Sequence, residues 1–216
     1  MKRAIPLALA GLLALSACSD DDAPGVVAPP AGPKLQLPAL APGVHALRLA
    51  GDPDAASGLA FVGSDGKAFV QLAPESDSPS RVLYRRAGAA APWQRVPAAA
   101  GDMSLSLALD ESRASLAEPA WAGSYAALVG EQPARFSIGA DGKLSAGAGD
   151  CRLSGSLDPQ LGYGEARGLA LELSGCAAAN GSYRGAILAD PDARNARFRA
   201  VLQQNDKILD LYLYGV

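Results

Sequence analysis

Three thiols, one imidazole and a scatter of carboxylates are the groups in this 216-residue chain best suited to chemistry. The thiols are Cys18, Cys151 and Cys176, and the imidazole is His45. A Ser-His-Asp arrangement would have to use His45, and no Gly-x-Ser-x-Gly elbow is present, so His45 reads as structural or exposed. Glycoside hydrolysis needs only two carboxylates. Asp110, Glu111, Glu165, Glu172 and Asp210 are candidates, but no spacing singles out a pair. The Asp-Pro segments at 51–54 and 190–192 read as turn chemistry, because the ligand spacing of a calcium loop is incomplete. Cys-x-x-Cys, a P-loop and a dinucleotide fingerprint are all absent from the sequence. The expectation is a protein without enzymatic activity, cofactor or metal.

Cys18 stands at the end of MKRAIPLALAGLLALSAC. Lys2 and Arg3 make a short basic start, Ala4 to Leu15 is an apolar run, and the small Ser16 and Ala17 follow. This is the three-part layout of a secretory signal peptide. A bilayer span needs roughly 20 apolar residues, more than this run supplies. Leu15-Ser16-Ala17-Cys18 resembles the lipobox of bacterial lipoproteins. The resemblance implies a diacylglycerol on the Cys18 thiol, cleavage after residue 17 and acylation of the new amino group. Two or more acyl chains hold a protein stably on a membrane, where one does so only marginally. Ser19 in place of Asp implies, by likeness to Gram-negative lipoproteins, delivery to the outer membrane. Asp20-Asp21-Asp22 reads as a solvated spacer. Loss of residues 1–17 moves the formal net charge from -3 to about -5. Such a chain has no electrostatic reason to seek nucleic acid.

Residues 18–42 are rich in proline, at 24, 29, 30, 33, 38 and 42, and read as a disordered tether behind the lipidated cysteine. From Gly43 the texture changes to short segments of period-2 alternation. Met103 to Leu109, Leu169-Leu171-Leu173 and Leu209-Leu211-Leu213 each place apolar residues on one face, as half-buried strands do. Asp-Gly occurs twice inside Gly-x-Asp-Gly-Lys, at 63–67 and 139–143, a strong hairpin signal. The two copies fit either an old duplication or convergence on one turn chemistry. The expected fold is all-β, an antiparallel meander of about a dozen strands forming a small barrel or sandwich. Glu118-Pro119 marks a boundary between a smaller N-terminal β module, 43–118, and a C-terminal barrel or sandwich, 119–216.

Export places Cys151 and Cys176 in an oxidising compartment, where a disulfide is the default. They enclose a loop of 26 residues counting both ends, and each borders a strand-like run. A metal or redox pair is the rival reading, weakened by the single histidine. Gly123-Ser124-Tyr125, Asp141-Gly142, Cys151-Arg152-Leu153-Ser154-Gly155, Cys176 and Gly181-Ser182-Tyr183-Arg184-Gly185 follow in an order that resembles a family of uncharacterised proteobacterial lipoproteins. The likeness runs from Trp121 onward, with Gly149-Asp150 departing from it just before the first cysteine. It implies the β fold and the disulfide and carries no activity.

Tyr212, Tyr214 and Asp210 share one face of a strand, as a contact surface or as second-face packing. Arg194, Arg197 and Arg199 suit an acidic partner or a solvated face. The expected function is a non-enzymatic binding or interaction module of the outer membrane, held by its N-terminal lipid and meeting an unknown protein or envelope partner. The competing expectation is a periplasmic inhibitor or immunity protein against a cell-envelope hydrolase.

Overall fold

The computed structural model describes residues 34–50, 57–74, 78–98, 104–110, 119–163, 166–190 and 195–216. These residues form fifteen strands and a 3-10 turn at Ala177–Ala179. Residues 34–109 supply one sheet: β1 (Lys34–Gln36), β2 (Gly43–Leu49), β3 (Ser57–Val62), β4 (Ala68–Ala73), β5 (Val82–Arg86), β6 (Gln94–Val96) and β7 (Ser104–Leu109). Its strand order is β1-β7-β2-β3-β4-β5-β6, and the sheet curls. Residues 123–215 supply a closed barrel of β8 (Gly123–Val129), β9 (Gln132–Ile138), β10 (Lys143–Ala146), β11 (Arg152–Tyr163), β12 (Ala166–Ser174), β13 (Gly181–Leu188), β14 (Phe198–Gln204) and β15 (Lys207–Gly215). The all-β expectation and its barrel are therefore met.

Alternation explains the barrel. Leu169, Leu171 and Leu173 of β12 and Leu209, Leu211 and Leu213 of β15 point inward and are buried. A barrel of eight strands has an interior that side chains can just fill. Here Tyr125, Phe136 and Phe198 meet inside it, with ring centroids 5.7 and 5.5 Å from Tyr125. Cys151 and Cys176 are joined as a disulfide, their Cα atoms 4.4 Å apart. They lie just outside the paired ends of β11 and β12, where Arg152 faces Ser174.

The two Gly-x-Asp-Gly-Lys segments fold alike. In each, the Asp side chain accepts the Lys backbone N–H at 3.0 Å. Gly66 and Gly142 take φ of 77° and 78°, which glycine adopts without the strain a Cβ would bring. The same residues thus make the same turn at the tip of β3–β4 in the sheet and of β9–β10 in the barrel.

The curled sheet lies on the outer wall of the barrel. Phe61 and Phe69 face each other across β3–β4, with rings stacked at 4.1 Å. Together with Leu59 they pack on Ala166, Ala186 and Leu188 of the barrel. Leu83 and Val96 pack on Val201. The small alanines on the wall let the aromatic pair approach closely. Burial of each large side chain here contributes about 1.5–3 kcal/mol. The opposite face of the sheet closes on itself around Leu47, Ala60, Val70, Tyr84 and Leu107.

One expectation is corrected at the N-terminal edge. Residues 34–42 belong to the expected tether, yet Lys34–Gln36 pair in parallel with β7. Leu35, Leu37 and Leu40 then pack against the inner face of the curl. Three leucines between the prolines bury enough apolar surface to hold this stretch on the sheet, and proline 38 suits a segment that must leave a sheet edge. Residues 18–33 of the expected tether, and Cys18 with them, lie outside the described residues.

Candidate functional site

Among the described candidates, His45, Glu172 and Asp210 lie on separate strands: β2 of the sheet, and β12 and β15 of the barrel. His45 is half-buried, with Nε2 2.8 Å from the carbonyl of Ala41. Glu172 is exposed on the barrel and accepts the Ser182 hydroxyl. Glu111 and Glu165 lie outside the described residues. Among the described residues, no group of three or more His, Cys, Asp or Glu side chains could hold a metal ion.

Asp210 has a different task from the one its sequence neighbours implied. It sits between β14 and the curled sheet, bound to Arg199. Arg199 is only 1% exposed, which overturns its reading as part of a solvated or acidic-partner face. Its Nε donates to Asp210 Oδ1 at 2.9 Å, and its Nη2 to Asp210 Oδ2 at 2.7 Å and to the Ser78 carbonyl at 2.9 Å. Its Nη1 donates to Asp190 Oδ2 at 3.0 Å, and its cation lies 5.2 Å from the Tyr212 ring centroid. Asp210 Oδ2 also takes the Ser80 N–H at 2.7 Å, while the Ser80 hydroxyl lies between Asp210 and Gln71. Ser78, Ser80 and Gln71 belong to the curled sheet and its loop, whereas Asp190, Arg199 and Asp210 belong to the barrel. Burial alone would push the guanidinium pKa down; the hydrogen bonds and charges of Asp210 and Asp190 outweigh it and hold it above its ordinary value. The cluster is a clamp between sheet and barrel. Arg197, the neighbour two residues back, stays exposed and reaches the Ala120 carbonyl at 3.4 Å, and Arg194 lies outside the described residues.

The seam beside this clamp is open. A cleft of about 180 Å³ lies between β4–β5 of the sheet and β13–β14 of the barrel. Phe69, Leu83 and Val201 form its apolar walls, and Lys67, Arg85, Arg86 and Arg184 its cationic lining. Lys67 pairs with Asp65 at 2.5 Å, and this contact lowers the Asp65 carboxyl pKa. Arg85 Nε donates to the neutral Gln94 amide at 3.1 Å, and Arg86 lies 4.9 Å over the Trp93 ring. Among the described residues, Arg85, Arg86 and Arg184 form no ion pair. Three arginines without acidic partners in a chain of net charge -3 make a local concentration of positive charge.

Arg86 also lines a second cavity, of about 380 Å³, inside the curl of the sheet. Its floor is Ala60, Ala68 and Val70, and the strap of Leu35, Leu37 and Leu40 roofs it, with Trp93 at one side. Arg86 Nε is buried there without a hydrogen-bond partner.

Period-2 geometry explains how one dipeptide serves both spaces. Successive strand residues point to opposite faces, so Arg85 turns toward the barrel seam and Arg86 toward the curl. Neither is among the site residues expected from the sequence. The signal was present as Arg85-Arg86 directly after Val82-Leu83-Tyr84, a dibasic pair on an apolar strand of an acidic chain. Lys67 and Arg184 stood within segments noted only for their turn and strand patterns. Compared with known protein families, curated proteins and solved structures, the chain finds no match.

Proposed function

We propose that this chain is an outer-membrane lipoprotein, acylated on Cys18, that works as a non-enzymatic binding module. The observation that carries the binding reading is the seam cleft: apolar walls under three arginines that, among the described residues, pair with no carboxylate. Arg85 and Arg184 are exposed and Arg86 is half-buried, so their guanidinium groups stand within reach of an oxyanion arriving from solvent, which they would hold by charge-assisted hydrogen bonds. The signal-like leader and the Leu15-Ser16-Ala17-Cys18 order support the anchor. The likeness of the C-terminal half to uncharacterised proteobacterial lipoproteins supports the same location. In this reading the barrel is the rigid support, the curled sheet docks on its wall, and the ligand is met where the two diverge.

Metabolic labelling tests the anchor. Cells fed radioactive palmitate incorporate label into the wild-type chain, which sediments with outer membranes. Cys18→Ser loses both the label and the sedimentation. A Cys18→Ser chain that stays labelled overturns the acylation site.

A further inference from the structure

We infer that the ligand of the seam cleft is a small aromatic acid, its ring between the apolar walls and its carboxylate or phosphate on Arg85 and Arg184. This inference rests on the binding-module reading and deepens it. Period 2 builds the site from four strands at once. On β5, Leu83 is buried and Arg85, two positions on, is exposed. On β4, Phe69 is buried and Lys67, just before the strand, is exposed. On β13, Ala186 is buried and Arg184 exposed, and on β14, Val201 is buried and Gln203 half-buried. Apolar side chains therefore line the depth of the seam, and polar and cationic ones its mouth. Arg85 is the cross-strand neighbour of Phe69, and Arg184 of Gln203, so the two guanidinium groups come from the two facing walls. Lys67 is paired with Asp65, which leaves the two arginines for an incoming oxyanion. Gln203 lines the same cleft, and its Oε1 is buried without a hydrogen-bond partner among the described residues.

Size selects the body of the ligand. A cavity of roughly 150 Å³ walled by Leu, Ile and Phe holds one benzene ring. The cleft has about 180 Å³, so one ring fits and a long acyl chain does not. Phe69 stacks on Phe61 and borders the cleft, which gives an incoming ring an aromatic neighbour. Such ring pairs gain more than their area burial alone. Charge selects the head. A guanidinium binds a carboxylate or a phosphate through charge-assisted, often paired, hydrogen bonds. Half a turn of the Gln203 amide puts its NH2 where Oε1 stands, a further donor beside Arg184. A bare inorganic anion would use the arginines and leave the apolar walls in water. A neutral ring would use the walls and leave the arginines unpaired. An aromatic acid answers both.

Fluorine NMR titration of the purified full chain in lipid nanodiscs tests this, with empty nanodiscs as the blank. The ligands added are fluorinated phenylacetate and fluorinated phenyl phosphate. At least one should bind saturably. A clear preference assigns the head, and equal binding assigns the oxyanion that the two share. Acetate and inorganic phosphate, which lack the ring, should compete about tenfold more weakly or worse, and fluorotoluene, which lacks the charge, should bind as weakly. Arg184→Gln should weaken binding about tenfold, the effect of losing a charged hydrogen-bond donor. Gln203→Trp should abolish binding by filling the cleft with both arginines in place. Arg135→Gln removes an exposed arginine of β9 outside the cleft and should change nothing. Cooperative melting reports whether each variant folds, and Arg184→Gln, at an exposed position, carries the test where Gln203→Trp does not fold. Equal competition by the ringless anions, equal binding of fluorotoluene, or equal losses in Arg135→Gln and Arg184→Gln overturn the inference. Inorganic pyrophosphate separates the two levels. Pyrophosphate binding lost in Arg184→Gln, with neither aromatic acid bound, would keep the binding-module reading and remove the aromatic ligand. Binding of neither kind would remove both.

Discussion

Arg199 and Asp210 hold each other by two parallel hydrogen bonds, of 2.9 and 2.7 Å, from neighbouring strands on the outer wall of the barrel. The oxygen nearer Nη2 also accepts the backbone N–H of Ser80, a residue 130 positions away in the curled sheet. One carboxylate oxygen therefore ties the two sheets together through charge-assisted bonds. Apolar packing by Phe61, Phe69 and Leu83 supplies most of the attraction between them. The ion cluster determines where along the wall the sheet sits, because its partners can be satisfied in one register only.

Replacing Arg199 by Met should lower the stability of the chain by about 3–5 kcal/mol, since Asp190 and Asp210 would be left buried without their cation. The loss should fall on the docking of the sheet first. Denaturant unfolding followed by tryptophan fluorescence and by far-ultraviolet dichroism should then show two separated transitions where the wild type shows one. Coincident transitions with a loss below about 1 kcal/mol would sink the clamp as the link between sheet and barrel.

Why this clamp escaped the sequence is a matter of range. Leu209-Leu211-Leu213 announces a strand within five residues, because alternation is local and the buried face is the barrel's own. The Asp-Gly turns are equally local. Arg199, by contrast, stands in Arg-Phe-Arg, where period 2 puts Phe198 inside the barrel and both arginines outside. An outward residue of a barrel reads as solvated. Only the docking of a sheet built from residues 34–109 converts that outside into an interior, as the 119-residue separation from Ser80 shows. The cationic cleft was hidden for the same reason. Lys67, Arg85 and Arg184 come from three distant segments, and no window of sequence contains them together.

Loss of the Cys151–Cys176 bond should destabilise the barrel by roughly 3–4 kcal/mol, from the closed loop it removes. Cys151→Ala/Cys176→Ala, compared with wild type by denaturant titration, measures this. Reductant should reproduce the double substitution in the wild type and change nothing in the variant. A variant as stable as the wild type would show that the β11–β12 ladder already restrains this loop.

Alkaline pH should loosen the fold. Burial raises the phenol pKa of Tyr125 and Tyr183 above the ordinary 10.0. At Tyr212 burial again acts first, the Arg199 charge lowers it in part, and Asp210 and Asp190 raise it further, with a net upward shift. Each folded phenol thus keeps its proton where the unfolded one has lost it. Their contribution is complete below about pH 10 and is lost as pH rises through the folded values. The urea midpoint should fall between about pH 9 and about pH 11, in step with tyrosinate absorbance. Tyr183→Phe should flatten that fall. A midpoint flat over this range would contradict the assigned shifts.

The strap at the N-terminal edge also decides how the molecule answers force. Any pull delivered through residues before Lys34 enters at β1, and β1 is three residues long and hydrogen-bonded to β7 alone. Such a strand peels one bond at a time, at low load. The barrel lies later in the chain, closed on itself and stapled by its disulfide, so β1 gives way while the barrel is still intact. Under tension from the segment before Lys34, β1 would therefore act as a mechanical fuse, lifting the roof from the chamber in the curl and leaving the load-bearing barrel intact.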